Sequence, residues 1–168
     1  MIHLSDNAQN RLEASRHLRL DGVVACPTDT LYGLAASIYS HSAIRRIFDI
    51  KGRPSNQGIP VLVNSIAQLD DLALHISDSA IALAEAFWPG PLTLIFERIS
   101  TLLPELSGGL PTIAVRYPNH RTPWDLIHSS GTPITGTSAN LSGGDQPTTP
   151  QEVVEQIGDK VDLLLDAG

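Results

Sequence analysis

At 168 residues, with 42% hydrophobic and 17% charged residues, the chain has the size and composition of one folded domain and not of a disordered segment. Its formal net charge of -7 argues against broad electrostatic attachment to nucleic acid, although a local basic cleft is compatible with it. A single cysteine, Cys26, excludes an internal disulfide, and no apolar run reaches signal-peptide or membrane-spanning length, so a cytoplasmic protein without a membrane partner is expected.

The first predicted element is a helix over Asp6–Leu20, where Ala8, Leu12, Ser15 and Leu18 fall near a helical period. Gly22 opens an apolar strand, Val23 to Cys26, that Pro27 ends. The run from Thr28 to Leu34 reads as a polar turn. Ser42 is the expected cap of a helix whose Ile44, Ile47 and Phe48 share a face and which stops at Lys51-Gly52. A buried strand is expected at Pro60–Val63, then helical stretches at Ile66–Leu74 and Ser79–Phe87. Pro89-Gly90-Pro91 is a hard break.

Strands follow at Leu92–Phe96 and Thr112–Arg116, then a short helix from near Pro123 to about His128. Pro133-Ile134-Thr135 leads another strand. Thr149-Pro150-Gln151-Glu152 has the form of a capping box, opening a helix that runs to Ile157 before a last strand, Val161 to Leu165. The alternation predicts an α/β protein with an open, twisted sheet of mixed parallel and antiparallel strands layered with helices.

Several clusters carry possible chemistry. Lys51 is one of only two lysines, and it lies two residues from Arg53 in Lys51-Gly52-Arg53-Pro54. Cations at a helix end often serve only its dipole, which accounts for Lys51. Arg53 is held beyond the helix by Gly52 and Pro54, which favours an oxyanion site. Thr135-Gly136-Thr137-Ser138-Ala139-Asn140 is either an ordinary turn after a strand or a loop that grips a nucleotide. It contains no Walker A loop and no dinucleotide fingerprint. Thr28-Asp29-Thr30-Leu31-Tyr32 follows a strand, a favoured ligand position, yet such a turn can also be closed by its own side chains. Alternation puts Thr112, Ala114 and Arg116 on one face, with Arg116 as a salt-bridge partner or a carboxylate clamp. Cys26 reads as a buried structural thiol, and the six histidines lack metal-ligand spacing.

Taken together, Pro27-Thr28-Asp29-Thr30-Leu31-Tyr32-Gly33-Leu34, Lys51-Gly52-Arg53-Pro54, Phe87-Trp88-Pro89-Gly90-Pro91-Leu92-Thr93, Ile113-Ala114-Val115-Arg116-Tyr117-Pro118 and Ser138-Ala139-Asn140 resemble the YrdC-like family over nearly the whole chain. The resemblance implies one YrdC-like domain, residues 1–168, with a concave, positively charged cavity. It implies an L-threonylcarbamoyladenylate synthase, a nucleotidyltransferase making threonylcarbamoyl-AMP from L-threonine, bicarbonate and ATP, with Mg2+ accompanying ATP. The product would serve tRNA threonylcarbamoyladenosine modification through a downstream transferase complex. The family also carries an association with double-stranded RNA.

By the same resemblance, Lys51 and Arg53 would face the triphosphate, and Ser138 and Asn140 would hold the nucleotide with Thr112 and Gln146 nearby. Thr30 and Arg116 would contact threonine, Gly136 would line its pocket, and Tyr32 would wall it. Two departures stand out. Gln57-Gly58-Ile59 replaces the Lys-Pro-Leu of many relatives, and the chain ends at Leu165-Asp166-Ala167-Gly168, where relatives continue into a segment that helps close the threonine site. A missing C-terminal segment is therefore an expectation. The alternatives are a carbamoyl-adenylate-forming domain of a carbamoyltransferase, and a nucleotide- or RNA-binding module without turnover.

Overall fold

Apolar runs that alternate between two buried faces become the central strands. The computed structural model describes residues 1–168 and contains two sheets. The first has five strands: β1 (Ile2–Ser5), β2 (Val24–Pro27), β3 (Tyr32–Ala35), β8 (Thr137–Ser138) and β9 (Leu163–Asp166), ordered β1-β9-β2-β3-β8. β9 runs parallel to both β1 and β2, whereas β3 is antiparallel to β2 and β8. Along β9, Leu164 enters the main core while Leu163 and Leu165 enter a second one, so both faces of this sheet are covered. Helices α1 (Ala8–Arg19) and α4 (Arg121–Ser130) pack together over the second core, which holds Leu18, Val24, Cys26 and Leu126.

The second sheet has the order β5 (Thr93–Glu97), β6 (Thr112–Arg116), β4 (Val61–Leu62), β7 (Ile134–Thr135). β4 is parallel to β6 and antiparallel to β7, and β5 is antiparallel to β6. Its inner face joins the main core through Val61, Phe96, Ile113 and Val115, beneath helix α2 (His41–Lys51) with Ile44 and Ile47. Its other face is open: Thr112, Ala114 and Arg116 are half-buried and Ile95 is 70% exposed. Helix α3 (Asp78–Phe87) buries only Ala84, and α5 (Pro150–Ile157) buries Val153 and Ile157.

The two sheets meet where one stretch of chain changes partners. Thr135 pairs with Val61, and Ser138, three residues on, pairs with Gly33. Between them Gly136 donates its N–H to Pro60 O, and a Cβ there would lie 2.6 Å from Leu62 Cγ and Cδ2. The buried Thr135 hydroxyl closes the seam, accepting from Ala36 N and donating to Leu34 O.

The mixed α/β architecture is as expected, and most elements fall within a few residues of the sequence reading. The differences have local causes. β1 is not expected from the sequence, because it is only four residues long and mostly exposed. The run from Thr28 to Leu34 is only half turn: Tyr32–Ala35 is a fully buried strand. Ser40, not Ser42, caps α2, accepting from Ala43 N. Residues Ile66–Asp71 form a 3-10 turn and not an α-helix. The Thr149 capping box with Pro150 at the first helical turn is present as expected.

Candidate functional site

Helix α2 ends where Gly52 adopts a left-handed conformation, φ 59°, which a residue without Cβ takes at little cost. That turn directs Lys51 inward. Its side chain is 3% exposed, and Nζ donates to Ser138 O (2.6 Å), Asn140 O (2.9 Å) and Asn140 Oδ1 (3.0 Å). Ser138 Oγ donates to Asn140 Oδ1 at 2.6 Å, and Asn140 Nδ2 donates to Gly144 O. Lys51, Ser138 and Asn140, remote in sequence, therefore form one cluster. Burial, with the Arg53 charge adding to it, lowers the Lys51 pKa to about 8.

Arg53 sits outside the helix end, half-buried, with Nε donating to Gln57 O and Nη2 to Gly58 O. Burial lowers its pKa. Its Nη1 group makes no hydrogen bond within the chain. The loop that holds it is backed by the turn at 104–109: Ile59 N donates to Leu106 O, and a Cβ on Gly58 would lie 2.9 Å from that same oxygen. Thr112 lies beyond this loop, in a groove of about 160 Å³ that it shares with Gly58, Pro60, Ile95, Leu110 and Ala114. Gln146 is exposed and makes no side-chain contact with this cluster, but its neighbour Pro147 accepts from Tyr32 N at 2.9 Å.

A second cluster lies on the other side of the sheet junction. Arg116, at the end of β6, donates from Nε to Gly90 O (3.0 Å), from Nη1 to Thr30 Oγ1 (3.1 Å) and from Nη2 to Asp29 Oδ1 (2.6 Å). The Thr28–Leu31 turn is closed by its own side chain and also contacts Arg116. Thr28 Oγ1 closes the turn on Leu31 O, while Asp29 and Thr30 reach across to Arg116. Tyr32 is buried, its hydroxyl donating to Gly168 O and accepting from Ala167 N, and burial raises its pKa. A cavity of about 210 Å³ opens beside Asp29, Thr30, Tyr32, His120 and Thr148.

The clusters adjoin through backbone: Tyr32 O accepts from Ala139 N, Gly33 pairs with Ser138, and Leu62, the β4 partner of Arg116, touches Gly136. Sequence reasoning did not single out Asp29 or His120. Asp29 lay inside a quoted motif as the one carboxylate beside three hydroxyls. His120 follows Arg116 by four residues and caps α4 through its ring, and burial lowers its pKa. Cys26 is fully buried, its thiol pushed up to about 12 by burial and the Asp6 charge, which leaves no reactive thiolate there. No group of three or more His, Cys, Asp or Glu side chains is placed to hold a metal ion, and no helix is long and apolar enough to cross a membrane.

The family model for Sua5, YciO and YrdC proteins, described as "Telomere recombination", matches residues 16–168. The threonylcarbamoyl-AMP synthase of Pyrococcus abyssi is 39% identical over 96% of this chain and 49% of its own length. The Bacillus subtilis protein of the same name is 39% identical over 98% of this chain and 48% of its own. The crystal structure of P. abyssi Sua5 complexed with L-threonine superposes with a TM-score of 0.95 at 37% identity, covering 99% of this chain and 50% of that one. The chain thus spans about half the length of these relatives. Because the family model matches residues 16–168, nearly the whole chain, the chain belongs to the Sua5/YciO/YrdC family.

Proposed function

We propose that the chain is an L-threonylcarbamoyladenylate synthase, a nucleotidyltransferase that joins L-threonine, bicarbonate and ATP into threonylcarbamoyl-AMP and releases pyrophosphate. One observation carries this reading: a guanidinium fitted for a carboxylate, Arg116, lies across one strand junction from a cation-held loop of hydroxyl and amide groups, Lys51–Ser138–Asn140. Such a pair of sites brings an amino acid and a nucleotide to neighbouring positions. The threonine bound to P. abyssi Sua5 supports the amino-acid half, and the names of the relatives support the whole reaction.

In this reading the threonine ammonium gives up a proton to solvent, the freed nitrogen adds to the carbon of bicarbonate, water leaves, and the resulting N-carboxylate attacks the α-phosphorus of ATP as pyrophosphate departs. Covalent help from the protein is not required, so positioning and charge neutralisation carry the rate. Arg53 offers its free Nη1 to the triphosphate. Lys51 acts through the loop it holds, presenting Ser138 and Asn140 to the nucleotide, with Thr112 and the backbone near Gln146 at its edges. Thr30, Tyr32, Arg116 and Gly136 form the threonine side. Mg2+ bound to the triphosphate of the incoming ATP would neutralise charge there. The product would pass to a transferase acting on tRNA in the cytoplasm. Association with double-stranded RNA would require a surface other than the net-acidic whole.

The test is pyrophosphate release from ATP with bicarbonate present. Release that depends on L-threonine is expected. Release that ignores threonine, or ATP binding with no turnover at any threonine concentration, would leave a nucleotide-binding module as the better description.

A further inference from the structure

The Arg116–Asp29 ion pair is built unlike a purely structural one. Its side chains are 15% and 14% exposed, so it is largely withdrawn from water. A withdrawn pair is most stable when the guanidinium grips both carboxylate oxygens. Here only Asp29 Oδ1 is engaged, at 2.6 Å from Nη2. Oδ2 accepts no hydrogen bond, and it is not among the sealed-off polar atoms, of which Glu105 Oε2 is the sole example. Arg116 is restrained on all sides by Gly90 O, Thr30 Oγ1 and Asp29, yet each of its η nitrogens keeps one free N–H. The site therefore holds a fixed positive and a fixed negative group in contact, each with directed hydrogen-bonding capacity left over.

An α-amino acid carries its carboxylate and ammonium on a single carbon, so its own charges sit about as close together as those of Arg116 and Asp29. Laid antiparallel on the pair, the zwitterion meets both groups at once. We propose that Asp29 recognises the α-ammonium of the substrate, so that Arg116 and Asp29 form one cradle selective for zwitterions. The inference rests on the threonine reading above. An acid lacking the ammonium would bring its carboxylate beside Asp29 uncompensated, and the same residue that attracts the amino acid would repel it.

The experiment compares binding of L-threonine and of 2,3-dihydroxybutanoate, which has a hydroxyl in place of the ammonium, by calorimetry on the intact chain. The wild type should prefer threonine by about tenfold or more, the worth of a charge-assisted contact. Asp29→Asn keeps an acceptor for Arg116 but removes the charge, and the preference should fall to near unity through weaker binding of threonine and relieved repulsion of the acid. Asp29→Glu keeps the charge and should still favour threonine. Equal weakening of both ligands in Asp29→Asn would mean that Asp29 only supports Arg116, and would overturn the proposal. Indifference between the ligands in Asp29→Glu would do the same. Absence of threonine binding in the wild type would overturn the threonine reading itself, and the inference with it.

Discussion

At Lys51 an ammonium is enclosed by two backbone carbonyls and one side-chain amide oxygen, where solvent would normally be its partner. Burial and Arg53 pull its pKa down to about 8, while the oxygens around it favour the charged form. In the proposed enzyme this lysine holds the nucleotide loop, so ATP affinity should be level near neutrality and fall as pH rises through about 8. The decline should reach about tenfold, the scale of one charge-assisted hydrogen bond. Lys51→Met should bind ATP weakly at every pH, with that inflection gone. Calorimetry across the range checks this, and an unchanged inflection in the variant would assign it to another group. Stability has the opposite sign. Between about 8 and the ordinary 10.5 the unfolded chain still binds a proton that the folded one has released, so the Lys51 contribution to stability improves with rising pH. Sequence made Lys51 conspicuous through its rarity. Its orientation toward Asn140, 89 positions away, depends on a tertiary contact that no local pattern encodes.

Helix α5 is an element whose ends were legible from chemistry alone. Thr149 Oγ1 accepts from Glu152 N at 3.3 Å, and the Glu152 carboxylate accepts from Thr149 N at 3.1 Å, so each side chain satisfies a backbone donor the helix cannot. Hydrogen bonds from Thr148 N and then Thr149 N hold the Glu152 carboxyl below its usual range. Thr149→Ala should cost about 1 kcal/mol. In a domain of this size that lowers Tm by roughly 2–4 °C, readable by thermal denaturation. A Tm unchanged in the variant would mean that the helix is held by Val153 and Ile157 alone. β1 and β3 were not legible, for different reasons. β1 alternates Ile2-His3-Leu4-Ser5 over only four residues, too short a run to read as a strand before its pairing with β9 is known. β3 was hidden because Gly33 and the polar turn before it mask a buried strand that is held by its neighbours β2 and β8.

For the molecule as a whole, the decisive place is the passage from β7 to β8, where one chain segment serves two sheets and both clusters abut. Gly136 permits the approach to Leu62, which is 3% exposed and has little room to retreat. Gly136→Ala should destabilise by about 1–3 kcal/mol through overpacking. Combination with Leu62→Ala should give less than the sum of the single losses, because the second change vacates the space the first requires. Denaturant titration of the four proteins checks this, and strict additivity would place the strain elsewhere. Motif order marked Lys51, Ser138 and Asn140, and likewise Thr30 and Arg116, as residues that the structure brings together. The division of the strands into two sheets was not readable, since β7 and β8 are separated only by Gly136 and look like one strand until their partners are known.

The position of β9 bears on how the chain reaches this structure. Leu163–Asp166 lies between β1 and β2, strands formed by residues 2–5 and 24–27. Until it arrives, both of those strands present open edges, and Val24 and Ala25 lack the partners that Leu163 and Leu164 become. During synthesis β1 must therefore wait for Leu163–Asp166, far along the chain, before it can pair. Loop closure over such a span makes completion of the five-stranded sheet a slow, late event. The nascent chain is thus most exposed to mispairing and aggregation while the ribosome is still making residues that the earliest strands require.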